Sequence, residues 1–269
     1  MKERLDKILF DLGYFETKSK AQAAIMAGNV KINGEKITKA GYQLEYHEGL
    51  DIEVKSMPFV SRGGYKLAKA VKAFELNLND RICLDAGAST GGFTDCMLQN
   101  GAKKVYSVDV GYGQFAWKLR TDERVKVVER MNIKNCSKAD IYDENDVLPD
   151  FCATDLSFIS VKKVLKNILS LMQPENIQIV SLIKPQFEAG KDEVGKNGVV
   201  RDKSVHITVI NEIIDFAQGE LGLFALNLTV SPIKGPAGNI EYLVLLSDKS
   251  EGKQDFEVEN VVNSAVQEL

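Results

Sequence analysis

The sequence predicts an α/β protein whose large domain is built on a mostly parallel sheet and is preceded by a small α+β module. After Tyr65, apolar strands alternate with helices, as they do when helices cover both faces of a parallel sheet. A glycine-rich turn follows the first strand of this alternation, and two short helices with several short strands precede it. A chain of 269 residues, 44% of them hydrophobic, is long enough to form both cores.

The front module is predicted from short helical and extended patterns. Apolar residues recur at helical spacing before Gly13 and before Gly28, and Asn33-Gly34 is the residue pair of a tight hairpin turn. The predicted elements are helices over residues 5–12 and 21–25 and strands over residues 30–32, near residue 37 and over residues 50–54. Because such a unit has a thin core, it is more credible as a recognition module than as an enzyme.

The joint between the two domains is basic. Pro58 and the pair Gly63-Gly64 interrupt the pattern, and the stretch contains no acid. Its cations are Lys55, Arg62, Lys66, Lys69 and Lys72. The last three are spaced by three residues and therefore share one helical face. This face is either an ordinary solvent-exposed strip or a strip that contacts phosphates, and the sequence leaves both interpretations open.

The large domain alternates strands and helices up to residue 246. Strands are predicted over residues 81–85, 104–109, 125–128, 151–155, 177–184, 225–230 and 241–246. Helices are predicted from near residue 65, through residues 93–98, and over residues 161–172 and 204–221. In sheets of this kind, ligands bind at the carboxyl ends of the strands, so a site is expected there.

The stretch Asp85-Ala-Gly-Ala-Ser-Thr-Gly-Gly-Phe-Thr94 is the most informative motif. Glycines directly after a strand let the backbone turn sharply and approach a ligand closely. Asp109 ends the next strand, 24 residues after Asp85, which is the spacing at which an acid reaches a ribose diol. The turn lacks the G-x-G-x-x-G pattern that holds a pyrophosphate, and it opens with an acid that suits a cationic ligand. It therefore favours S-adenosylmethionine over a nicotinamide dinucleotide, which stays the alternative.

Four further charged residues stand at predicted strand ends or on the helix before the first strand. They are Lys66, Asp155, Lys184 and Glu241. Taken singly, each is best explained as a surface charge. Lys184 is less ordinary because it ends a strongly apolar strand, where a lysine without partners would be costly to bury.

Several motifs resemble those of one family of RNA-modifying enzymes. The matching stretches are Asp85-x-Gly-x-x-x-Gly-Gly-Phe, Asp109-Val-Gly-Tyr-Gly-Gln, Asp155-Leu-Ser-Phe-Ile-Ser, Lys184-Pro-Gln-Phe-Glu and Gly198-Val-Val-Arg201-Asp. They resemble the TlyA/YqxC branch of the FtsJ-like RNA ribose methyltransferases, and they run in order along most of the chain. The resemblance implies a seven-stranded Rossmann-like sheet and a catalytic tetrad of Lys66, Asp155, Lys184 and Glu241. It also implies 2′-O-methylation of ribose, with cytidine in ribosomal RNA as the acceptor, although members also carry the name hemolysin.

The front module resembles the αL RNA-binding module of a small-subunit ribosomal protein, pseudouridine synthases and tyrosyl-tRNA synthetases. The motif is Arg4-Leu-Asp-Lys-x-Leu9, then Lys18-Ser-Lys20-Ala-Gln-x-x-Ile25-x-x-Gly28-x-Val30-x-Ile32-Asn33-Gly34. Lys18-Ser-Lys20 replaces the usual Ser-Arg, so a phosphate can still be held by a point charge but without the arginine fork.

The two resemblances also imply which residues bind the cofactor and which bind RNA. The residues predicted to bind S-adenosylmethionine are Asp85, Gly87, Ser89, Thr90, Gly91, Gly92, Phe93, Asp109, Asn132 and Asp155. The residues predicted to bind RNA, two of them from the basic joint, are Arg4, Lys18, Lys20, Lys31, Asn33, Arg62 and Lys69.

The resemblance also implies that Lys184 is the general base. A ribose 2′-hydroxyl must lose its proton as it attacks the methyl group, and Lys184 in its neutral form can take that proton. Lys66 and the sulfonium favour the neutral form of Lys184, while Asp155 and Glu241 orient the lysines and oppose that effect. Much of the rate is expected from holding the reacting atoms in line.

Two other functions stay open at this point. One is an RNA-binding or ribosome-associated protein whose methyltransferase fold is inactive. The other is a cytolysin, which is disfavoured because no apolar run approaches the length of a membrane span. The net charge of −4 does not itself indicate a nucleic acid partner, so RNA would have to meet a local basic surface.

The remaining expectations concern metal binding, localisation and the domain boundaries. The four cysteines form no C-x-x-C pair, so no metal is expected, and the lack of an apolar N-terminal signal core favours the cytoplasm. The predicted domains are an RNA-binding domain over residues 1–56, a basic linker over 57–64, a methyltransferase domain over 65–248 and a charged tail over 249–269.

Overall fold

The structure is a computed structural model that describes residues 2–15, 17–39, 41–47, 49–54 and 58–268. The chain divides into two compact units, Met1–Pro58 and Phe59–Leu269. The division falls within the stretch predicted as a linker. Lys55 and Met57, which belong to the predicted basic joint, lie outside the described residues.

The first unit packs two helices and a three-stranded antiparallel sheet around one core. Its elements are β1 (Glu3–Arg4), α1 (Leu5–Asp11), α2 (Lys18–Met26), β2 (Val30–Ile32), β3 (Glu35–Ile37), β4 (Gln43–Leu44) and β5 (Ile52–Val54). The sheet has the order β3-β2-β5, and β1 pairs with β4 outside it. Asn33 and Gly34 both have positive φ, as a tight two-residue hairpin turn requires. The predicted helices and hairpin are confirmed, whereas β1 and β4 are too short to leave a pattern in the sequence.

The second unit is built on one seven-stranded sheet. Its strands are β6 (Ile82–Ala86), β7 (Lys104–Val108), β8 (Val125–Val128), β9 (Phe151–Thr154), β10 (Gln178–Ile183), β11 (Phe224–Val230) and β12 (Tyr242–Ser247). The order is β11-β12-β10-β9-β6-β7-β8, and β12 runs antiparallel to both of its neighbours. The seven-stranded, mostly parallel sheet that we predicted is therefore confirmed.

Helices cover both faces of this sheet. They are α3 (Gly63–Ala73), α4 (Gly92–Gln99), α5 (Trp117–Arg120), α6 (Lys138–Ile141), α7 (Lys162–Leu171), α8 (Pro185–Glu188), α9 (Lys203–Leu221) and α10 (Val258–Glu268). Apolar side chains of α3 and α4 fill the core on one face, and those of α7, α9 and α10 fill the core on the other. This division follows from the strands themselves, since Cys83 faces the first core and its neighbour Leu84 faces the second.

Two boundary predictions are corrected by the packing. Residues 59–64 are not a free linker, because Phe59 and Val60 pack against the core and the Val60 N–H donates to Asp95 at 2.8 Å. The segment after residue 248 is not merely a charged tail. It ends in α10, whose buried Val258, Val262 and Ala265 pack on α9 and β11. The spacing of these three residues is helical, and the surrounding charges hid it.

The chain order of the strands places the site. From β6 the chain moves outward through β7 and β8, and then returns to place β9 on the opposite side of β6. The loops that leave β6 and β9 therefore diverge, and they open a crevice at the carboxyl ends of two neighbouring parallel strands.

Candidate active site

Four charged side chains from distant parts of the sequence meet in this crevice. Lys66 lies on α3, Asp155 follows β9, Lys184 follows β10, and Glu241 precedes β12. Glu241 reaches the carboxyl edge because β12 runs antiparallel, so its first residues lie there. Lys66 Nζ lies 3.0 Å from Asp155 Oδ2 and 2.8 Å from Glu241 Oε2, and Lys184 Nζ lies 2.6 Å from Asp155 Oδ1. We call these residues the tetrad.

The tetrad is largely buried, with the Asp155 side chain 20% exposed, and it is balanced in charge. Lys66 and Lys184 are each 7% exposed and Glu241 is 1% exposed. Two cations and two anions compensate one another, which offsets the cost of removing all of them from water. Burial acts to lower the pKa of Lys66, but Asp155 and Glu241 outweigh it and hold that pKa above its ordinary value. Burial alone would raise the pKa of Asp155, yet the two lysines hold it below its ordinary value. Lys66 and Asp155 therefore stay charged.

Two polar neighbours of the tetrad are not found by sequence reasoning. Lys184 Nζ donates to Ser157 Oγ at 2.9 Å, and Gln186 Nε2 donates to Glu241 Oε1 at 3.2 Å. Both lie within motifs quoted for the family resemblance, two residues from Asp155 and from Lys184 respectively. Ser157 shares a strand-end loop with Asp155, and Gln186 lies on α8 directly after Lys184, so proximity to the charged residues was the available signal.

Glu188 fastens the loops that carry Asp155 and Lys184. Its carboxylate accepts the Ser160 hydroxyl and the Val161 N–H, each at 2.6 Å. Ser160 and Val161 end the loop that follows Asp155, whereas Glu188 ends the short helix that follows Lys184. Burial raises the pKa of Glu188. This bridge fixes one side of the crevice.

The glycine-rich turn after β6 is shaped by positive backbone φ angles. Gly87 has φ +94°, and a Cβ there would lie 2.8 Å from Leu156 and 3.0 Å from the Asp155 carbonyl. At Gly92, a Cβ would lie 2.4 Å from Ser61 Oγ and 2.8 Å from the Gly64 nitrogen. Glycine at these two positions lets the turn approach both the loop after β9 and the start of α3.

Asp85 lies beneath this turn rather than in the crevice. It is fully buried, and its Oδ2 accepts the Thr94 N–H at 2.9 Å and the Thr94 hydroxyl at 2.6 Å. Its Oδ1 has no hydrogen-bond partner among the described residues. Burial raises its pKa to about 7. Asp85 therefore braces the turn from below, and its predicted effect on a cationic ligand stays a prediction.

Two adjoining cavities flank the turn. One, of about 450 Å³, contains the tetrad together with Gly87, Ser89, Thr90, Gly92 and Phe93. The other, of about 530 Å³, is lined by Asp109, Asn132 and apolar residues such as Val108 and Ile133. Gly87, Ser89, Asp155 and Ser157 line both. Asp85 and Gly91 line neither, so eight of the ten predicted cofactor residues face this space.

The second cavity fits a nucleoside. Asp109 accepts the Ser89 N–H at 2.8 Å and the Gly111 N–H at 2.6 Å, which fixes its carboxylate while leaving lone pairs for a ribose diol. The apolar side chains in its lining suit the faces of a base. A ligand with a polar amino-acid end and a nucleoside end would thus reach from the tetrad to Asp109.

The comparisons with known proteins agree with this geometry. Residues 59–248 match the family described as FtsJ-like methyltransferase, and residues 3–52 match the S4 domain. The chain belongs to the FtsJ-like methyltransferase family. YqxC of Bacillus subtilis, whose name proposes an rRNA methyltransferase, is 46% identical over 96% of this chain and 90% of its own.

Two further relatives of this methyltransferase chain span nearly its whole length. The TlyA protein of Mycobacterium tuberculosis, named a 16S/23S rRNA (cytidine-2′-O)-methyltransferase, is 38% identical over 98% of this chain and 97% of its own. A solved structure from Streptococcus thermophilus that carries the name hemolysin is 41% identical, with a TM-score of 0.76 over 99% of this chain and 96% of the other. The predicted membership of the TlyA/YqxC family is confirmed.

The residues predicted to bind RNA in the first unit are mostly engaged in local contacts. Arg4 forms an ion pair with the buried Asp6 at 2.6 Å, and Lys31 pairs across the sheet with Glu53 at 3.0 Å. Asn33 Oδ1 accepts the Asp51 N–H at 3.1 Å, and Lys18 lies 5.8 Å from the Phe10 ring centroid. Lys20 is exposed on α2. Their role in RNA binding stays a prediction.

The basic strip on α3 is corrected. Lys66 is buried in the tetrad, so it does not share a solvent-exposed face with Lys69 and Lys72. Arg62 lines the cavity of the tetrad. The helical spacing was right, but spacing alone does not say which side of the helix is buried.

Within the part of the chain that the structure describes, no group of three or more His, Cys, Asp or Glu side chains could hold a metal ion. Among the same residues, no helix is both long and apolar enough to cross a membrane.

Proposed function

We propose that this chain transfers a methyl group from S-adenosylmethionine to the 2′-hydroxyl of a ribose in ribosomal RNA, with cytidine as the acceptor nucleotide. The observation that carries the proposal is the buried tetrad beside the glycine-rich turn. The ring nitrogens of bases already present lone pairs, whereas a ribose hydroxyl must lose a proton before or during attack. A site that combines two lysines with two acids suits that requirement. The printed name of the TlyA relative supports the choice of cytidine in ribosomal RNA.

The proposed proton acceptor is Lys184. Lys66 contacts two carboxylates, and its raised pKa keeps it protonated. Lys184 contacts one carboxylate and the Ser157 hydroxyl. It is therefore the less compensated of the two cations, and we assign the proton transfer to it. In its neutral form, Lys184 Nζ takes the proton of the ribose hydroxyl, while Lys66 and Asp155 keep it in position.

The glycine-rich turn and Asp109 are proposed to hold the methyl donor. S-adenosylmethionine, when bound, supplies an electrophilic methyl group carried on a positively charged sulfur. Gly87, Ser89 and Thr90 line the cavity that contains the tetrad. Asp109 and Asn132 line the adjoining cavity, where a carboxylate and an amide can bind the ribose hydroxyls. The shared residues join the two parts into one elongated site.

The S4 domain supports RNA as the acceptor, because it is a separate folded unit with exposed cations. Arg4, Lys18, Lys20, Lys31 and Asn33 are proposed to contact the RNA backbone from this unit. Arg62 and Lys69 are proposed to do so from the methyltransferase domain. Contacts of this kind depend on salt and are largely independent of sequence.

The proposal is tested by product analysis. The full-length protein is incubated with ribosomal subunits from cells that lack it and with methyl-labelled S-adenosylmethionine, and the RNA is digested to nucleosides. We expect the label in 2′-O-methylcytidine. Label in a base, or in no nucleoside although calorimetry detects binding of S-adenosylmethionine, would contradict the proposal. The second outcome would favour an inactive RNA-binding protein.

A further inference from the structure

A third cavity lies next to the tetrad, on the far side of Lys234. Its volume is about 360 Å³. The segment between α8 and α9 contributes Val199 and Arg201, the start of α9 contributes Lys203, and the loop before β12 contributes Lys234 and Ile240. Lys234 also lines the cavity that contains the tetrad. The two cavities are therefore neighbours, with one lysine at the boundary between them.

The rim of this cavity carries positive charge without compensation. Arg201, Lys203 and Lys234 line it, and no Asp or Glu does. Arg201 and Lys234 form no ion pair with any residue that the structure describes, and Lys203 Nζ donates to the neutral amide of Asn263 at 2.9 Å. The adjacent Asp202 turns its carboxylate to the Ser204 N–H and hydroxyl. Three cations around one small cavity repel one another, and an anion placed there would relieve that repulsion.

The wall of the cavity is held in shape by buried polar groups. The Val200 N–H donates to Asn239 Oδ1 at 3.0 Å, and His206 Nε2 lies 3.1 Å from the Val200 carbonyl. Because a carbonyl can only accept, Nε2 carries the proton, and Nδ1 accepts from the Tyr242 hydroxyl at 2.8 Å. Burial lowers the pKa of His206, so its ring is neutral and adds no charge to the rim.

The wall is also apolar where it faces the cavity. Val199 and Ile240 lie on it beside Ala237. An apolar wall below a cationic rim suits a nucleotide, whose base is apolar on its faces and whose phosphate is anionic. A free anion would need only the rim. A ligand that occupies both this cavity and the adjoining one must extend past Lys234, as consecutive nucleotides of one strand do.

We propose that this cavity is the subsite for the nucleotide next to the methylated one on the acceptor RNA. Arg201, Lys203 and Lys234 bind the phosphates that flank the acceptor ribose, and the neighbouring base rests against Val199 and Ile240. The inference depends on the proposed function for the identity of the acceptor. It adds a second binding position on the methyltransferase domain, for the nucleotide directly beside the acceptor.

The test is the affinity of the full-length protein for RNA as a function of salt. The test variant is Arg201→Gln/Lys234→Gln. The matched control is Lys103→Gln/Lys253→Gln, which removes two exposed lysines from the opposite, amino edge of the sheet. The probe is a fluorescent single-stranded oligoribonucleotide, and methyl transfer to ribosomal subunits is measured in parallel.

We expect the test variant to bind the oligoribonucleotide roughly tenfold more weakly at low salt. The slope of the logarithm of its RNA-binding constant against the logarithm of the salt concentration should be shallower by about 1.4. This is about 0.7 for each lost phosphate contact to a single strand. Its KM for ribosomal subunits should rise, and its affinity for S-adenosylmethionine should match that of the control. Affinity and slope equal to those of the control would overturn the subsite even if the wild type methylates RNA. A lowered slope in a protein that never methylates RNA would instead keep the subsite and refute the proposed function.

Discussion

Each unit of the molecule contains a buried aspartate, and the pKa values of the two are shifted in opposite directions. Asp6 in the S4 domain accepts hydrogen bonds from Nε and Nη2 of Arg4, from Gln22 Nε2 at 2.6 Å and from the Lys7 N–H at 2.9 Å. These partners, led by Arg4, lower the pKa of Asp6 to about 2. Asp85 in the methyltransferase domain accepts two hydrogen bonds from Thr94 on one oxygen, and among the described residues its other oxygen has no partner. Burial raises the pKa of Asp85 to about 7.

Hydrogen-bond and ion-pair partners, rather than burial alone, therefore decide whether a buried acid is charged. Asp6 stays charged and orients Arg4, a residue predicted to bind RNA. Asp85 is a weakly compensated acid that fixes the glycine-rich turn through Thr94. The tetrad is a third case, in which four buried charges compensate one another.

Removing one cation from the tetrad should have the largest effect on stability. Lys66→Met leaves the buried Glu241 without its cation and Asp155 with only Lys184, so the free energy of unfolding should fall by about 3–5 kcal/mol. Urea denaturation, monitored by tryptophan fluorescence, measures the free energy of unfolding. The exposed Lys163→Met is the control and should stay within about 0.5 kcal/mol of wild type. An equally small change for Lys66→Met would mean that the tetrad charges are not compensating one another.

The raised pKa of Asp85 predicts a stability that falls as pH rises. The folded protein keeps the proton up to about pH 7, whereas the unfolded chain loses it near pH ~3.9. Stability from this group is therefore lost between those values and is constant above pH ~7. Asp85→Asn should lack this dependence and gain roughly 1–3 kcal/mol on wild type between pH ~5 and ~8. If the curves of stability against pH for Asp85→Asn and wild type were parallel, Asp85 would be charged in the folded protein. Parallel curves are what we expect for the exposed control Asp215→Asn.

The lowered pKa of Asp6 predicts the opposite sign. The contribution of Asp6 is present above the unfolded pKa of ~3.9 and is lost as pH falls towards about 2. At neutral pH, Asp6→Asn should destabilise the S4 domain by about 1–2 kcal/mol, and the difference from wild type should vanish near pH ~2. Hydrogen exchange of amides in α1 and α2 of the full-length protein measures this, with the exposed Asp11→Asn as the control. A difference that persists at low pH would contradict the assigned role.

The smallest effect on stability is expected at the surface of the S4 domain. Lys31 and Glu53 are each about half exposed, so Lys31→Gln should change stability very little. If Lys31 contacts a phosphate, the salt slope of RNA binding should fall by about 0.7–0.9. An unchanged slope would remove Lys31 from the RNA surface.

The fold was predictable because it depends on local patterns and on chain order. The hairpin at Asn33-Gly34, the glycine-rich turn and the alternation of strands all leave such patterns. The tetrad was predictable only through family resemblance, because Lys66 and Glu241 are 175 residues apart and no periodicity connects them. The bracing role of Asp85 and the polar contacts of Ser157 and Gln186 could not be predicted, because they depend on the three-dimensional placement of side chains.

In the proposed reaction, Lys184 takes the proton of the ribose hydroxyl, and single-turnover methyl transfer tests this role. Lys184→Ala is compared with wild type and with the exposed Lys163→Ala at saturating ribosomal subunits and S-adenosylmethionine. We predict that Lys184→Ala loses about 10²–10⁴-fold in rate while its affinity for S-adenosylmethionine stays within a few fold, and that Lys163→Ala is unaffected. A rate for Lys184→Ala close to that of wild type would show that Lys184 does not take this proton.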